Sequence, residues 1–483
     1  MKSKKLISRR STLKGIGAIG ALTFLDSKTV LSKDETLTNY DLTSHSSDIR
    51  KKIFQKVFQT PFIDTHEHLI EEKERFVGAS HPRVKSDDWT MLFSHYLNSD
   101  MLTAGMPKQD YDRFFSPKVD PLDKWALLEP YWQAIKNTGY GQAVCIALRE
   151  LYGVGELSVK TIKEVQLGYE NVRRPNFYKH ILCDLANIES CQVNCLTGSP
   201  FMESNMPTLL MQDLSIVGMF AGPDFKQFGE PTGIEITSLS DWHKVIDWWF
   251  NKYGKYAVAV KSQNAYSRDI NYEKVPGEKV DAIFKKRLDK QSLTSAEKKL
   301  LEDHLFWYAV DMATEFNLPV KLHTGYYAGE NRMPLSRLIN NPGSAAELCN
   351  IAPKTNFVFM HICYPYYEEL ISIAKQYTNA HIDMCWAWII NPVASKDFLK
   401  KYLVTAPANK VLTFGGDYIP VEPVLGHAVI ARRGIALTLS ELVEEGWLSL
   451  EDALKVVDPI MHGNARRIFN LQEKEKVLKS VKW

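Results

Sequence analysis

Eight short apolar runs, separated by stretches of helical character, constrain the fold of this chain more than any other feature of its sequence. They are Pro61–Thr65, Cys191–Leu196, Ser215–Phe220, Tyr256–Val260, Pro319–Leu322, Phe357–Met360, Ala380–Met384 and Val411–Phe414. None alternates strictly between apolar and polar residues, as a strand with one wet face would. Strands covered on both faces read as near-continuous apolar runs instead. Asp241–Tyr253, Ala296–Phe316, Tyr366–Gln376 and Leu450–Phe469 have helical patterning and lie between or after the runs. Parallel strands need crossover connections, ordinarily helices. Eight strands with helical crossovers predict an α/β fold, a (β/α)8 TIM-type barrel.

The spacing is uneven. About 120 residues separate the first two runs, and within them Trp89–Tyr96, Lys124–Thr138 and Gly141–Tyr152 read as helices. This predicts a helical insertion after strand one, at about residues 70–185, covering one end of the barrel. There is no internal repeat and no low-complexity linker. The expected organisation is an N-terminal extension over 33–54, one barrel domain over 55–472, and a C-terminal tail over 473–483.

Residues 1–32 are different. Lys2, Lys4, Lys5, Arg9 and Arg10 precede an apolar, glycine-rich stretch from Gly15 to Leu25. Eleven helical residues at about 1.5 Å each fall short of a hydrocarbon core of about 30 Å, so an export signal is expected rather than a stable membrane span. Ser8-Arg9-Arg10-Ser11-Thr12-Leu13-Lys14 resembles the twin-arginine motif, which implies export of the folded protein to the periplasm. The G-x-G-x-x-G at Gly15–Gly20 follows no strand and carries no dinucleotide site. This segment holds seven of the 59 basic residues and one of the 57 acidic ones, so without it the net charge of +2 becomes −4. No basic drive toward nucleic acid remains. The expected partner is a small-molecule substrate, and a homo-oligomer is left open. Most of the seven cysteines are expected buried and reduced. Cys191 and Cys195 are about 13 Å apart along a strand, beyond disulfide reach.

Asp64-Thr65-His66-Glu67-His68 carries the strongest local chemistry. Residues i and i+2 of a strand share a face, about 6.6 Å apart, so two imidazoles there can converge on one ion. Later runs end in matching groups: Lys261, His323, His361 and Asp417 follow the fourth, fifth, sixth and eighth. In a parallel barrel these ends share one rim, where active sites are built.

With those residues in that order, the chain resembles the amidohydrolase superfamily, over about residues 55–472. The resemblance implies a metal site of His66, His68, Lys261, His323, His361 and Asp417, holding one or two divalent ions, with zinc the first candidate. It also implies that Lys261 can take up CO2 as a carbamate bridging two ions. Asn464-Ala465-Arg466-Arg467-Ile468-Phe469 looks like the closing helix of that family's second large subgroup. Lys261-Ser262, Ala265-Tyr266, Arg268 and His361-Ile362-Cys363-Tyr364-Pro365-Tyr366 resemble amidohydrolase domains sometimes fused to glutamine synthetase. Tyr96-Leu97 and Asp100–Gly105 are similar to uronate isomerases, which lack the strand-four lysine and the strand-six histidine.

The main expectation is hydrolysis of an amide or ester near a carboxylate. Asp417 would be the general base toward metal-activated water. Tyr266 and Arg268 would bind substrate, the guanidinium as a fork on its carboxylate. The alternative is a non-hydrolytic enzyme on the same scaffold, a uronate-type isomerase or a decarboxylase. A non-catalytic exported binding protein is the third reading. Trp386, Trp388, Tyr326 and Tyr418 are candidate pocket aromatics, whereas His427, Arg432 and Arg433 are read as structural.

Overall fold

The computed structural model describes residues 47–196, 199–220, 228–330 and 332–483. The segment read as an export signal, and most of the N-terminal extension, lie outside the described residues.

Nine short strands form the centre: β1 (Phe62–Glu67), β2 (Ile188–Val193), β3 (Leu210–Gln212), β4 (Leu214–Ser215), β5 (Val260–Ser262), β6 (Val320–Leu322), β7 (Phe357–Phe359), β8 (Ala380–Asp383) and β9 (Val411–Leu412). β3 and β4 are one strand interrupted at Asp213, so the barrel has eight staves. All the pairings are parallel and follow chain order. Hydrogen bonds from Asp213 N to Val193 O (2.9 Å) and Leu214 N to Ala259 O (2.9 Å) carry the sheet across the interruption. Past β9 the chain runs beside β1: Thr65 N donates to Phe414 O (3.0 Å), Asp417 N to His66 O (2.8 Å) and His68 N to Tyr418 O (2.9 Å). The last stave thereby returns to the first, as a TIM-type barrel requires.

The two-residue period of a strand decides what faces where. Val320, Leu322, Phe357 and Phe359 pack outward into the main core beneath the helices. Ile63, Val258, Val358 and Leu412 form a second cluster with Ile468 and Phe469 of the chain's end. That closing segment plugs the floor of the barrel, and Phe469 lies 4.9 Å beneath the Lys321 ammonium. Arg432, on the helix Glu422–Glu444, donates to the carbonyls of Val57, Thr60, Ala186 and Asn187 and so ties the starts of β1 and β2 together.

Two strand expectations shift. The run Ser215–Phe220 was expected as a strand, yet only Ser215 is extended. Val217–Phe220 form a 3-10 turn whose Met219 and Phe220 are buried, with Met219 O accepting from Trp242 Nε1 at 2.8 Å. An apolar run this short can bury its side chains as either form, and the tryptophan decides. The fourth stave is Val260–Ser262 rather than Tyr256–Val260, because Tyr256 and Ala257 still bond back to Tyr253 at the end of the helix Leu239–Tyr253. Lys261 is therefore inside the strand.

Between β1 and β2 the chain is helical, including Leu97–Thr103, Lys124–Ile135 and Gly139–Tyr152. Gly139, at the start of helix Gly139–Tyr152, abuts Ile389 after β8, and that helix packs on Glu422–Glu444 at Gly426. None of the seven cysteines forms a disulfide. No helix among the described residues is long and apolar enough to cross a membrane.

Candidate metal centre

The β1 end supplies two imidazoles, with ring centroids 4.6 Å apart and planes at 81°. Asp417, just past β9, faces both. Its Oδ1 lies 3.2 Å from His66 Nε2 and 3.2 Å from His68 Nε2. Its Oδ2 lies 3.9 Å from His361 Nε2, on the loop after β7. Asp417 reaches this point through the left-handed region, at φ 61°. The preceding glycines make the approach possible: a Cβ at Gly416 would sit 1.8 Å from Glu67 Oε1.

The donor set suits a divalent ion. His68 Nδ1 bonds Asn194 O at 2.8 Å and His361 Nδ1 bonds Cys385 O at 3.0 Å. Those bonds place the ring proton on Nδ1 and leave each Nε2 lone pair toward Asp417. Neither nitrogen of the buried His66 has a hydrogen-bond partner among the described residues. Burial, reinforced by Lys261, holds His66 well below the usual imidazole range, and burial brings His361 down to about 4. These rings are neutral and available as ligands. Burial alone would raise Asp417, but His66, His68 and His361 hold its carboxyl well below the usual range. Imidazole nitrogens gathered around one carboxylate are a donor set that a divalent cation would complete.

His323, after β6, lies beside this group, with its ring 4.5 Å from that of His361. Its Nε2 is 2.8 Å from Tyr326 O, so Nδ1 remains as the lone pair. Lys261 is buried at 1% exposure, and among the described residues no hydrogen bond or ion pair engages its Nζ. Burial lowers its pKa although Asp417 opposes the shift.

The two substrate-binding expectations part company. Tyr266 stays at the centre, its ring 4.5 Å from His323 and its hydroxyl accepting from Ala328 N at 3.0 Å. Arg268 is a correction. Its Nη1 binds Glu302 (3.1 Å), its Nη2 binds Asp303 (2.6 Å) and its Nε donates to Asp269 O (2.9 Å). Acids on the helix Ser295–Glu315 satisfy the fork before any substrate could.

Sequence reasoning missed Cys385, which can form a ligand trio with His361 and Asp417. Its signal was its place two residues past β8, at the same rim. It also missed Asp213 and the role of Lys321, whose Nζ binds both Asp213 oxygens at 2.9 and 3.0 Å and Thr65 O at 2.7 Å. Beneath them lie buried carboxyls: burial raises Asp64 to about 6 and Asp383 to about 7.

Aromatic residues cap the centre. Tyr96, from the segment between β1 and β2, donates its hydroxyl to Asp417 O at 2.6 Å. Its ring stacks on Trp386 (4.8 Å) and on Tyr140 (5.2 Å). Trp386, itself at φ 62°, stands edge-on to His361 at 5.2 Å, and its buried Nε1 has no partner among the described residues. Trp388 instead donates to Thr413 O (2.9 Å), and His427 Nδ1 bonds Gly416 O (3.2 Å), so both support the rim from behind.

Residues 292–471 match the family model described as Amidohydrolase. The chain has the fold of the amidohydrolase superfamily. The protein fluG of Emericella nidulans is 26% identical over 189 residues, 38% of this chain and 21% of that protein, so the likeness spans about a fifth of fluG. A uronate isomerase of Phenylobacterium zucineum is 22% identical over 88% of this chain and 94% of its own length. The crystal structure of glucuronate isomerase from Caulobacter crescentus superposes with a TM-score of 0.71 at 15% identity, covering 88% of this chain and 94% of that one. The likeness to the uronate isomerases, unlike the family model, also takes in the long helical segment between β1 and β2.

Proposed function

We propose that this protein is a metal-dependent isomerase acting on small sugar acids of the uronate type. The observation that carries this reading is the aromatic cap. The segment between β1 and β2 delivers Tyr96 onto the backbone of Asp417, and the centre beneath is almost wholly buried, with His66 at 0% and Asp417 at 4% exposure. A hydrolase must admit water to its reacting centre; an aldose–ketose isomerase consumes none and gains from excluding it. The full-length likeness to uronate isomerases supports the same choice over the hydrolytic expectation.

His66, His68, His361 and Asp417 would hold the ion, with His323 adjoining. When bound, a divalent ion supplies polarisation of the substrate oxygens. The chain's own residues supply the rest. Isomerisation takes a proton from the hydroxyl-bearing carbon and returns one to the neighbouring carbonyl carbon, while the hydroxyl proton passes to the carbonyl oxygen. Asp417, held ionised, is the proton carrier. Tyr266, Tyr96 and Trp386 form the walls, and the unpaired Trp386 Nε1 offers a donor to a substrate oxygen.

The test is conversion of glucuronate and galacturonate by the metal-loaded protein, followed as ketose formation. Ketose with no second product supports the reading. No conversion of uronates, together with cleavage of carboxylate-bearing amides or esters, would overturn it. Hydrolysis remains as a second reading because Lys261 presents an unpaired amine beside His361. A carbamate there would support two ions, and two metals per chain with a carbamylated lysine would favour it. The basic, apolar start supports export to the periplasm.

A further inference from the structure

On the flank of the barrel, on two helices rather than at the strand ends, two histidines meet. His243 lies on the helix Leu239–Tyr253 and His304 on the helix Ser295–Glu315. Their Nε2 atoms are 2.9 Å apart, with ring centroids 5.1 Å apart and planes inclined at 44°. Both rings are held from behind. His304 Nδ1 is 2.7 Å from Val275 O, and His243 stacks on Tyr308 at 4.0 Å and 5°. Tyr308 is fixed in turn by its hydroxyl bond to Asp247 at 2.7 Å.

The bond to Val275 places the His304 proton on Nδ1, because a carbonyl only accepts. In the neutral ring, His304 Nε2 is then the lone pair. Without a metal, His243 must carry its proton on Nε2 to fill the contact. Shifting that proton to Nδ1 leaves both Nε2 lone pairs at the shared contact. Two imidazole nitrogens bound to one ion at about 2.0–2.1 Å each stand about 3 Å apart at ordinary coordination angles. The pair is already at that separation. Burial keeps His243 neutral, bringing it down to about 4. His304 lines a cavity of about 290 Å³ with Lys274, Val275, Pro276 and Trp307 among others, which leaves room for waters on its side of the pair. The neighbouring cation, Lys274, is drawn toward Asp311 at 3.5 Å and the Trp307 ring at 4.9 Å.

We propose that His243 and His304 form a second, two-histidine site for a borderline transition-metal ion of the copper, nickel or zinc class, independent of the barrel centre. Imidazole pairs select these ions over magnesium and calcium, which require oxygen ligands. A bound ion would clamp the two helices that flank β5 at one point.

The test uses the full chain with its barrel centre loaded, and Cu2+ as probe. One added equivalent should remain bound through gel filtration, with nitrogen hyperfine structure from two imidazoles in its electron paramagnetic resonance spectrum. His304→Gln and His243→Gln should each weaken Cu2+ binding at least tenfold and leave turnover unchanged. Retention of the added copper by both variants at wild-type affinity would overturn the proposal. So would failure of the wild-type chain to retain it.

Discussion

Lys261 and Lys321 occupy paired register positions on the neighbouring strands β5 and β6, both buried inside the barrel, and their surroundings are opposite. Lys321 has a dedicated counter-ion in Asp213 and a backbone carbonyl besides. Lys261 has neither. The carboxylates whose charge it feels, Asp417 and Asp213, are already held, the first by His66 and His68 and the second by Lys321. A barrel interior tolerates a buried ammonium when a carboxylate is assigned to it alone. Where the nearby carboxylates are committed to imidazoles or to another lysine, burial pushes the amine toward its neutral form, in which it is a nucleophile or ligand. The floor of the barrel uses its charges to hold shape; the rim leaves them unsatisfied for chemistry.

That contrast breaks or sharpens under mutation. The largest effect is expected at the rim. Asp417→Asn should lower turnover at least about 10³-fold, within the range of a lost acid–base group, while the fold persists. Steady-state rates and circular dichroism check this together, and full turnover would remove Asp417 from the mechanism.

At the floor the currency is stability. Lys321→Met leaves Asp213 buried and unpaired and should cost about 3–5 kcal/mol in urea unfolding. Lys261→Met should cost under about 1 kcal/mol in the same assay and instead lower metal content or rate. Equal stability losses would erase the distinction between the two lysines.

Asp383 gives a pH-resolved version. Its folded pKa is raised by burial to about 7, above the unfolded carboxylate value, so the native state holds the extra proton. Its contribution is complete below about pH 4 and is lost as pH rises toward 7. The metal-free protein should lose stability across that window. Asp383→Asn should remove a pH-dependent loss on the order of 4 kcal/mol. An unchanged pH profile would show that the carboxyl is ionised in the fold.

The smallest effect is expected at the cap. Tyr96→Phe keeps the ring stack and removes one hydrogen bond to Asp417 O, worth about 1 kcal/mol or roughly fivefold in rate. A loss of hundreds-fold would make the phenol a participant in the reaction.

Most of the barrel could be read from the chain, because parallel staves buried on both faces leave continuous apolar runs whatever surrounds them. Six of the eight runs overlap their strands with small shifts. Ser215–Phe220 failed because Met219 and Phe220 bury equally well in a 3-10 turn. At the site, His66, His68, His361 and Asp417 converge as their strand-end positions implied. Arg268 misled, since nothing near it in sequence announces Glu302 and Asp303, more than thirty residues away. Asp213 was passed over because a lone carboxyl inside a strand has no spacing signature, and Cys385 because only its place past β8 marked it.

The sequence by itself determined the barrel and the imidazoles that line its rim, since strand periodicity and order along the chain dictate which side chains share a face. It did not decide which charges are satisfied. Lys321 differs from Lys261, Arg268 from a free cation, and the His243–His304 pair from two unrelated residues, only through partners brought from elsewhere in the chain. Electrostatics and hydrogen bonding act over a few ångströms in space, regardless of separation in sequence. Only the tertiary structure could assign those roles.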